Sequence, residues 1–129
     1  MSFSETAEDY KILATQFIDK NSKEFIKISK AIWSYAELGF QEYKSSALMV
    51  KKLEKYGFKM QKNISNIPTA FIAEWGEGSP VIGLTGEFDA LPGLSQKADV
   101  VTKDPLVDNA PGHGCGHNIL GTTGLLTAI

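Results

Sequence analysis

Both histidines and the only cysteine of this 129-residue chain lie within five consecutive positions, His113-Gly114-Cys115-Gly116-His117. No other feature constrains the fold as much, because one short turn must present a thiol and an imidazole together. Gly112, Gly114 and Gly116 allow backbone angles that other residues resist, so the loop can fold tightly around an ion. Thiolate and imidazole suit zinc, or manganese or cobalt where carboxylates complete the site. The same residues also have a plain reading, Cys115 as a buried structural thiol and the histidines as hydrogen-bonded scaffold. Spacing alone leaves both readings open, since a metal site wants three or four protein ligands.

The acidic stretch Gly86-Glu87-Phe88-Asp89-Ala90-Leu91-Pro92 lies upstream of that loop. It follows Val81-Ile82-Gly83-Leu84-Thr85, which reads as a short strand apolar on both faces and so is expected inside a sheet. Residues 69–75 read as the strand before it, and Gly76-Glu77-Gly78-Ser79-Pro80 as the turn of a hairpin between the two. The end of a buried strand is where α/β enzymes commonly place functional side chains. Asp89 could accept the second N–H of a ligating histidine, fixing its tautomer. Glu87 and Asp89 would serve equally well as loop caps. From Phe88 to Gly114 the periodicity stops, and a loop of that length in a compact domain is usually functional or disordered.

The first third of the chain reads as helix. Ser2 with Glu5, or Ser4 alone, is the expected cap. Tyr10, Leu13, Phe17, Phe25, Ile28, Ile32 and Tyr35 form its apolar stripe, with Asn21 on the same stripe as a place for a kink or a polar contact. Gly39 is the expected stop. A second helix is predicted from Tyr43 to Tyr56, with Gly57 as the left-handed residue after it. Phe58 to Ile64 is predicted to be a strand. A last helix begins after His117 with Asn118 as cap, and its nearly continuous apolar surface predicts burial. Helices alternating with strands make the fold class α/β, and the uncovered sheet edges and helix faces suggest part of a larger domain.

The net charge is −2 and no basic run stands out, so nucleic acid is not an expected partner. No apolar run approaches the roughly 18 residues of a membrane helix. A lone cysteine cannot build an internal disulfide framework, and a cytoplasmic setting is the expectation.

The segments Gly86 to Gln96 and Ala110-Pro111-Gly112-His113-Gly114-Cys115-Gly116-His117-Asn118 resemble the aminoacylase/hippuricase-type metallopeptidase family. Within it they look most like the aminobenzoyl-glutamate hydrolase and indoleacetyl-amino-acid hydrolase branch. Ala36-Glu37-Leu38-Gly39-Phe40-Gln41-Glu42 and Pro68-Thr69-Ala70-Phe71 fit the same pattern. The resemblance implies a zinc-exopeptidase-like catalytic domain, with helices packed on a mixed sheet, of which residues 1–129 would be the N-terminal part. A lid or dimerisation domain and the C-terminal part would be absent. It implies two divalent metal ions, zinc or manganese with cobalt as a further option. The implied reaction is hydrolysis of an amide in an N-acyl amino acid, an aminobenzoyl-glutamate-like compound or a dipeptide, by a homodimer when full length. Cys115 and His117 match metal ligands, and Asp89 matches the acidic residue that supports them. Glu87 stands where other branches place a ligand histidine. His113 matches a residue behind the ligands, and Asn118 replaces an aspartate found in many relatives. The family's general-base glutamate lies downstream of the last helix, so the chain alone is expected to be inactive and to bind metal weakly. The alternatives are a non-catalytic fragment that binds or oligomerises with another chain, and a thiol enzyme using Cys115.

Overall fold

The computed structural model describes residues 6–129. Helix α1 spans Ala7–Tyr35, α2 Tyr43–Lys55 and α3 His117–Ala128, and strands β1 (Lys59–Lys62) and β2 (Phe71–Glu74) form an antiparallel pair. The architecture is mixed, three helices around a small two-stranded sheet. Among the described residues no helix is long and apolar enough to cross a membrane.

Helix α1 starts at a capping box. The Thr6 hydroxyl accepts from the Asp9 N–H, and the Asp9 carboxylate accepts from the Thr6 N–H. The expected caps Ser2, Ser4 and Glu5 lie outside the described residues. Asn21 does not break the helix; its amide donates back to the Phe17 carbonyl at 2.8 Å. The stop is Ala36 rather than Gly39, since Ala36 takes a left-handed conformation and returns its N–H to the Ile32 carbonyl. The apolar stripe is used only in its C-terminal half. Phe25, Ile28 and Ile32 are buried, whereas Leu13 is half exposed. Full burial of one such side chain contributes about 1.5–3 kcal/mol, so the second half of α1 is the anchored part.

Helix α2 has no cap from the residue before it. Its start is held instead by Glu37, whose carboxylate accepts from the Lys44 and Ser45 N–H groups at 2.9 Å each and from the Ser45 hydroxyl at 2.8 Å. Met49 and Leu53 then join Phe25, Ile28, Ile32 and Leu125 in the core. Lys52 is buried at the α1–α2 contact, paired with Glu24 and lying over the Phe25 and Tyr56 rings. Its ammonium holds the Glu24 carboxyl below the usual carboxylate range. Gly57 follows with φ of +84°, the left-handed residue that the helix end requires.

The sheet departs from the expectation. Residues 59–62 pair with 71–74, Lys59 opposite Glu74 and Lys62 opposite Phe71. The hairpin is thus one segment earlier than predicted, and both strands are shorter than the predicted 58–64 and 69–75. Residues 81–85 form no strand, and Val81 and Ile82 are more than four-fifths exposed. A strand needs a lateral partner for its backbone groups, and none lies beside this segment among the described residues. The buried side chains at the sheet's entrance are polar. The Thr69 hydroxyl donates to Glu42 at 2.6 Å, and the Ser46 hydroxyl donates to the Thr69 carbonyl at 2.8 Å. These bonds tie β2 to the start of α2.

Because Glu37 supplies the whole side-chain cap of α2, Glu37→Ala is expected to lower stability by about 1–2 kcal/mol. Chemical denaturation monitored by circular dichroism measures it, and an unchanged midpoint would remove this role.

Candidate functional site

Helix α3 delivers one side of the site. Its first residue is His117, preceded by Gly116 at φ +73° in the left-handed region. Gly116 is therefore the cap position and Asn118 lies inside the first turn, correcting the expected Asn118 cap. The surface α3 buries is only partly apolar: Asn118, Gly121, Thr122 and Leu125 are covered, Leu125 within the core, while Ile119 and Leu120 are exposed. The expected burial on all sides does not hold: α3 packs on α1 and on a backbone neighbour that only small residues can meet, and those two side chains are left exposed.

That neighbour is the segment 85–88. A Cβ on Gly121 would stand 2.9 Å from both the Glu87 carbonyl oxygen and the Phe88 Cβ. A Cβ on Gly124 would stand 3.4 Å from the Thr85 carbonyl oxygen. Glycine at 121 thus lets the chain leading to Asp89 lie against the helix. Phe88 stacks on Phe71 of β2, with ring centroids 6.0 Å apart. Beyond it Ala90 is buried and its N–H donates to the Glu37 carbonyl at 2.7 Å. Leu91 and Gly112 exchange backbone bonds of 3.0 Å in each direction, so the ends of the long loop are tied together.

His117 is the meeting point. Its Nδ1 lies 2.7 Å from Asp89 Oδ1 and its Nε2 3.2 Å from Glu87 Oε2. A carboxylate only accepts, so Nδ1–H donates to Asp89, as expected of an orienting acid. Nε2 then faces Glu87. A bare lone pair beside a carboxylate oxygen is repulsive unless a proton or a cation stands between them, and imidazole plus carboxylate is a donor set that divalent metals accept. Cys115 is exposed two positions earlier. The donor chemistry fits a divalent ion. It is not a finished cage: among the described residues no three His, Cys, Asp or Glu side chains are arranged to hold one.

His113 stands behind the loop. Its Nε2 lies 3.1 Å from the Ile32 carbonyl of α1, which makes that nitrogen the donor, while its buried Nδ1 has no partner. Burial pushes the His113 imidazole below its ordinary value, with the bond to Ile32 opposing. Asn118 is 8% exposed and reaches α1 as well, its amide donating to the Ser29 hydroxyl at 3.1 Å. All six sequence-derived residues lie on the loop, on the segment before it, or at the start of α3. His117, Asp89 and Glu87 are in contact, and His113 and Asn118 attach the loop to α1. A shallow hollow of about 200 Å³ lies elsewhere, lined by Tyr43, Ser46, Val50, Lys62, Thr69 and Phe71. Sequence reasoning missed Gly121 and Ser29. Regular spacing of Gly121 and Gly124 on an otherwise apolar helix was the available signal for the first.

Alanine gains roughly 0.8–1 kcal/mol of helix propensity over glycine at either position, so comparing the two isolates the clash. Gly121→Ala is expected to lower stability by about 1–3 kcal/mol and Gly124→Ala to leave it equal or higher, as read by thermal unfolding. Burial in the fold disfavours the charged form of His113, so the unfolded chain takes up its proton first as pH falls. The stability it contributes is present above about pH 6.5 and is lost as pH drops towards the lower folded value. Melting temperature plotted against pH should flatten across that window in His113→Gln.

No protein-family model matches the chain. It is 43% identical over 112 residues to a subunit of the p-aminobenzoyl-glutamate hydrolase of Escherichia coli, covering 87% of this chain and 23% of that protein. It is 32% identical over 105 residues to hippurate hydrolase of Campylobacter jejuni, covering 81% of this chain and 27% of that protein. To the Xaa-Arg dipeptidase of Mus musculus it is 28% identical over 127 residues, covering 90% and 25%. The chain spans about a quarter of the length of these relatives. These matches make the p-aminobenzoyl-glutamate hydrolase subunit and hippurate hydrolase homologues of the chain, which corresponds to the N-terminal region of such amidohydrolases.

Proposed function

We propose that the chain supplies part of the metal centre of an amide-cleaving hydrolase, with Cys115 and His117 as ligands and Asp89 as the residue that orients His117. The observation that carries this is the imidazole of His117, held by Asp89 at 2.7 Å with its other nitrogen turned towards Glu87. The proposed substrates are N-acyl amino acids, aminobenzoyl-glutamate-like compounds or dipeptides, in line with the names of the relatives. The proposed centre takes a pair of divalent ions, zinc or manganese with cobalt as a third option, in a zinc-exopeptidase-like domain. A cytoplasmic setting and a homodimeric complete protein belong to the same reading.

A divalent ion bound here would polarise the scissile carbonyl and lower the pKa of a bound water. The chain's own residues do the positioning. Asp89 keeps the proton of His117 on Nδ1 and leaves Nε2 free to donate its lone pair. Cys115 would add a thiolate from the same turn, and Glu87 would bring negative charge to the ion's side of the ring. Asp89 is committed to His117 and does not act as the general base. That role falls to a group outside the set described, so the isolated chain is proposed to bind metal weakly and not to turn over substrate.

The test is a Co²⁺ titration of the chain followed by absorbance, where a thiolate ligand gives an intense near-ultraviolet band. The expected result is a band that disappears in Cys115→Ala and weak binding that is lost in His117→Ala. For activity, amine release from an N-acyl amino acid by the complete protein is expected to fall by at least about a thousandfold when both are replaced, several kcal/mol of barrier. Unchanged metal content and turnover in the double variant would refute the assignment.

A further inference from the structure

The start of α3 carries His117, yet nothing at the helix terminus itself aims that residue. Gly116 offers no side-chain cap, and the first turn holds no acidic residue. What fixes the first turn is its second residue. The Asn118 side chain is buried, and its amide donates to the Ser29 hydroxyl at 3.1 Å, with the Ser29 carbonyl at the edge of reach at 3.5 Å. The Asn118 carbonyl in turn accepts from the Thr122 hydroxyl at 2.7 Å, which locks the following turn. One turn further along α1, the Ile32 carbonyl receives His113. The loop is therefore bolted to α1 on both sides of Cys115. The bolts seat on a helix segment whose neighbours Phe25, Ile28 and Ile32 are core.

We propose that Ser29 is a positioning residue for His117: by holding the Asn118 amide, its hydroxyl sets the direction in which the imidazole leaves α3. Neighbouring helical residues project about 100° apart, so fixing residue 118 against α1 fixes where residue 117 points. The geometry stands by itself, and its consequence for metal binding rests on the proposed role of His117. Among the described residues the polar contacts of the His117 ring go to Asp89 and Glu87, so Ser29 acts through Asn118. A serine in mid-helix is otherwise a slightly worse helix former than alanine, so Ser29→Ala should not unfold α1. It would leave a buried amide without a good acceptor.

The experiment uses the 129-residue chain with Ser29→Ala, Ser29→Thr, and Ser34→Ala as an exposed-serine control on the same helix. Without metal, the Nδ1–H proton of His117 is followed by NMR. Ser29→Ala is expected to speed its exchange with water about tenfold, while Ser29→Thr, which keeps the hydroxyl, and Ser34→Ala retain the wild-type rate. With Co²⁺, Ser29→Ala is expected to bind about tenfold more weakly, the size usual for loss of an outer partner, and Ser29→Thr to bind as wild type. A Ser29→Ala chain with unchanged ring-proton exchange overturns the proposal, as does a Ser29→Thr chain that behaves like the alanine variant. If the wild-type chain takes up no Co²⁺, the metal reading fails and the ring proton alone decides the role of Ser29.

Discussion

The contact between α3 and the segment before Asp89 is the constraint on which the site depends. The Glu87 carbonyl lies where a side chain at residue 121 would have to go, and glycine alone leaves that space open. The close approach sets the Asp89 carboxylate 2.7 Å from His117, a residue 28 positions later in the chain. A hydrogen bond of this kind is worth only about 1–3 kcal/mol. It cannot pull two backbones together against a steric clash. Packing brings the segments into register, and the bond then selects the tautomer of a ring that is already in place.

Behind this contact, α1 serves as a backing plate. Its C-terminal half is anchored through Phe25, Ile28 and Ile32, and the groups that grip the loop, the Ser29 hydroxyl and the Ile32 carbonyl, belong to the same stretch. The stiffness of the core is transmitted to the loop by two polar contacts. Between them Cys115 stays exposed, with its thiol accessible to solvent. Of the residues that hold the turn Asn118 is buried and His113 partly so, while the thiol they flank stays exposed, as the proposed role calls for. Glu37 joins the two halves of the structure, capping α2 with its carboxylate while its carbonyl accepts from the Ala90 N–H.

Much of this is legible in the residues, and the departures have physical causes. Helices α1 and α2 follow from periodicity, and Gly57 from the need for a left-handed residue. Asp89 beside His117 is the contact expected of a carboxylate that accepts a ring N–H. The stop of α1 differs because Ala36, not the nearby glycine, adopts the left-handed turn. The predicted strand at 81–85 does not form because a run of apolar residues records a preference for burial but names no partner, and among the described residues no partner lies alongside. Asn118 has the residue type of a cap, whereas its side chain is spent on Ser29, 89 positions earlier in the chain.

By itself the sequence determined which groups could do chemistry: one thiol, two imidazoles, an acidic pair, and the glycines that let their backbone bend. Those properties belong to single residues and their near neighbours, and survive any arrangement of the rest. Only the tertiary structure decided that His117 lies between Asp89 and Glu87, that His113 and Asn118 turn towards α1, and that Gly121 meets backbone. Such pairings join residues tens of positions apart, and their geometry is set by how helices and loops pack as solids, which no local pattern encodes.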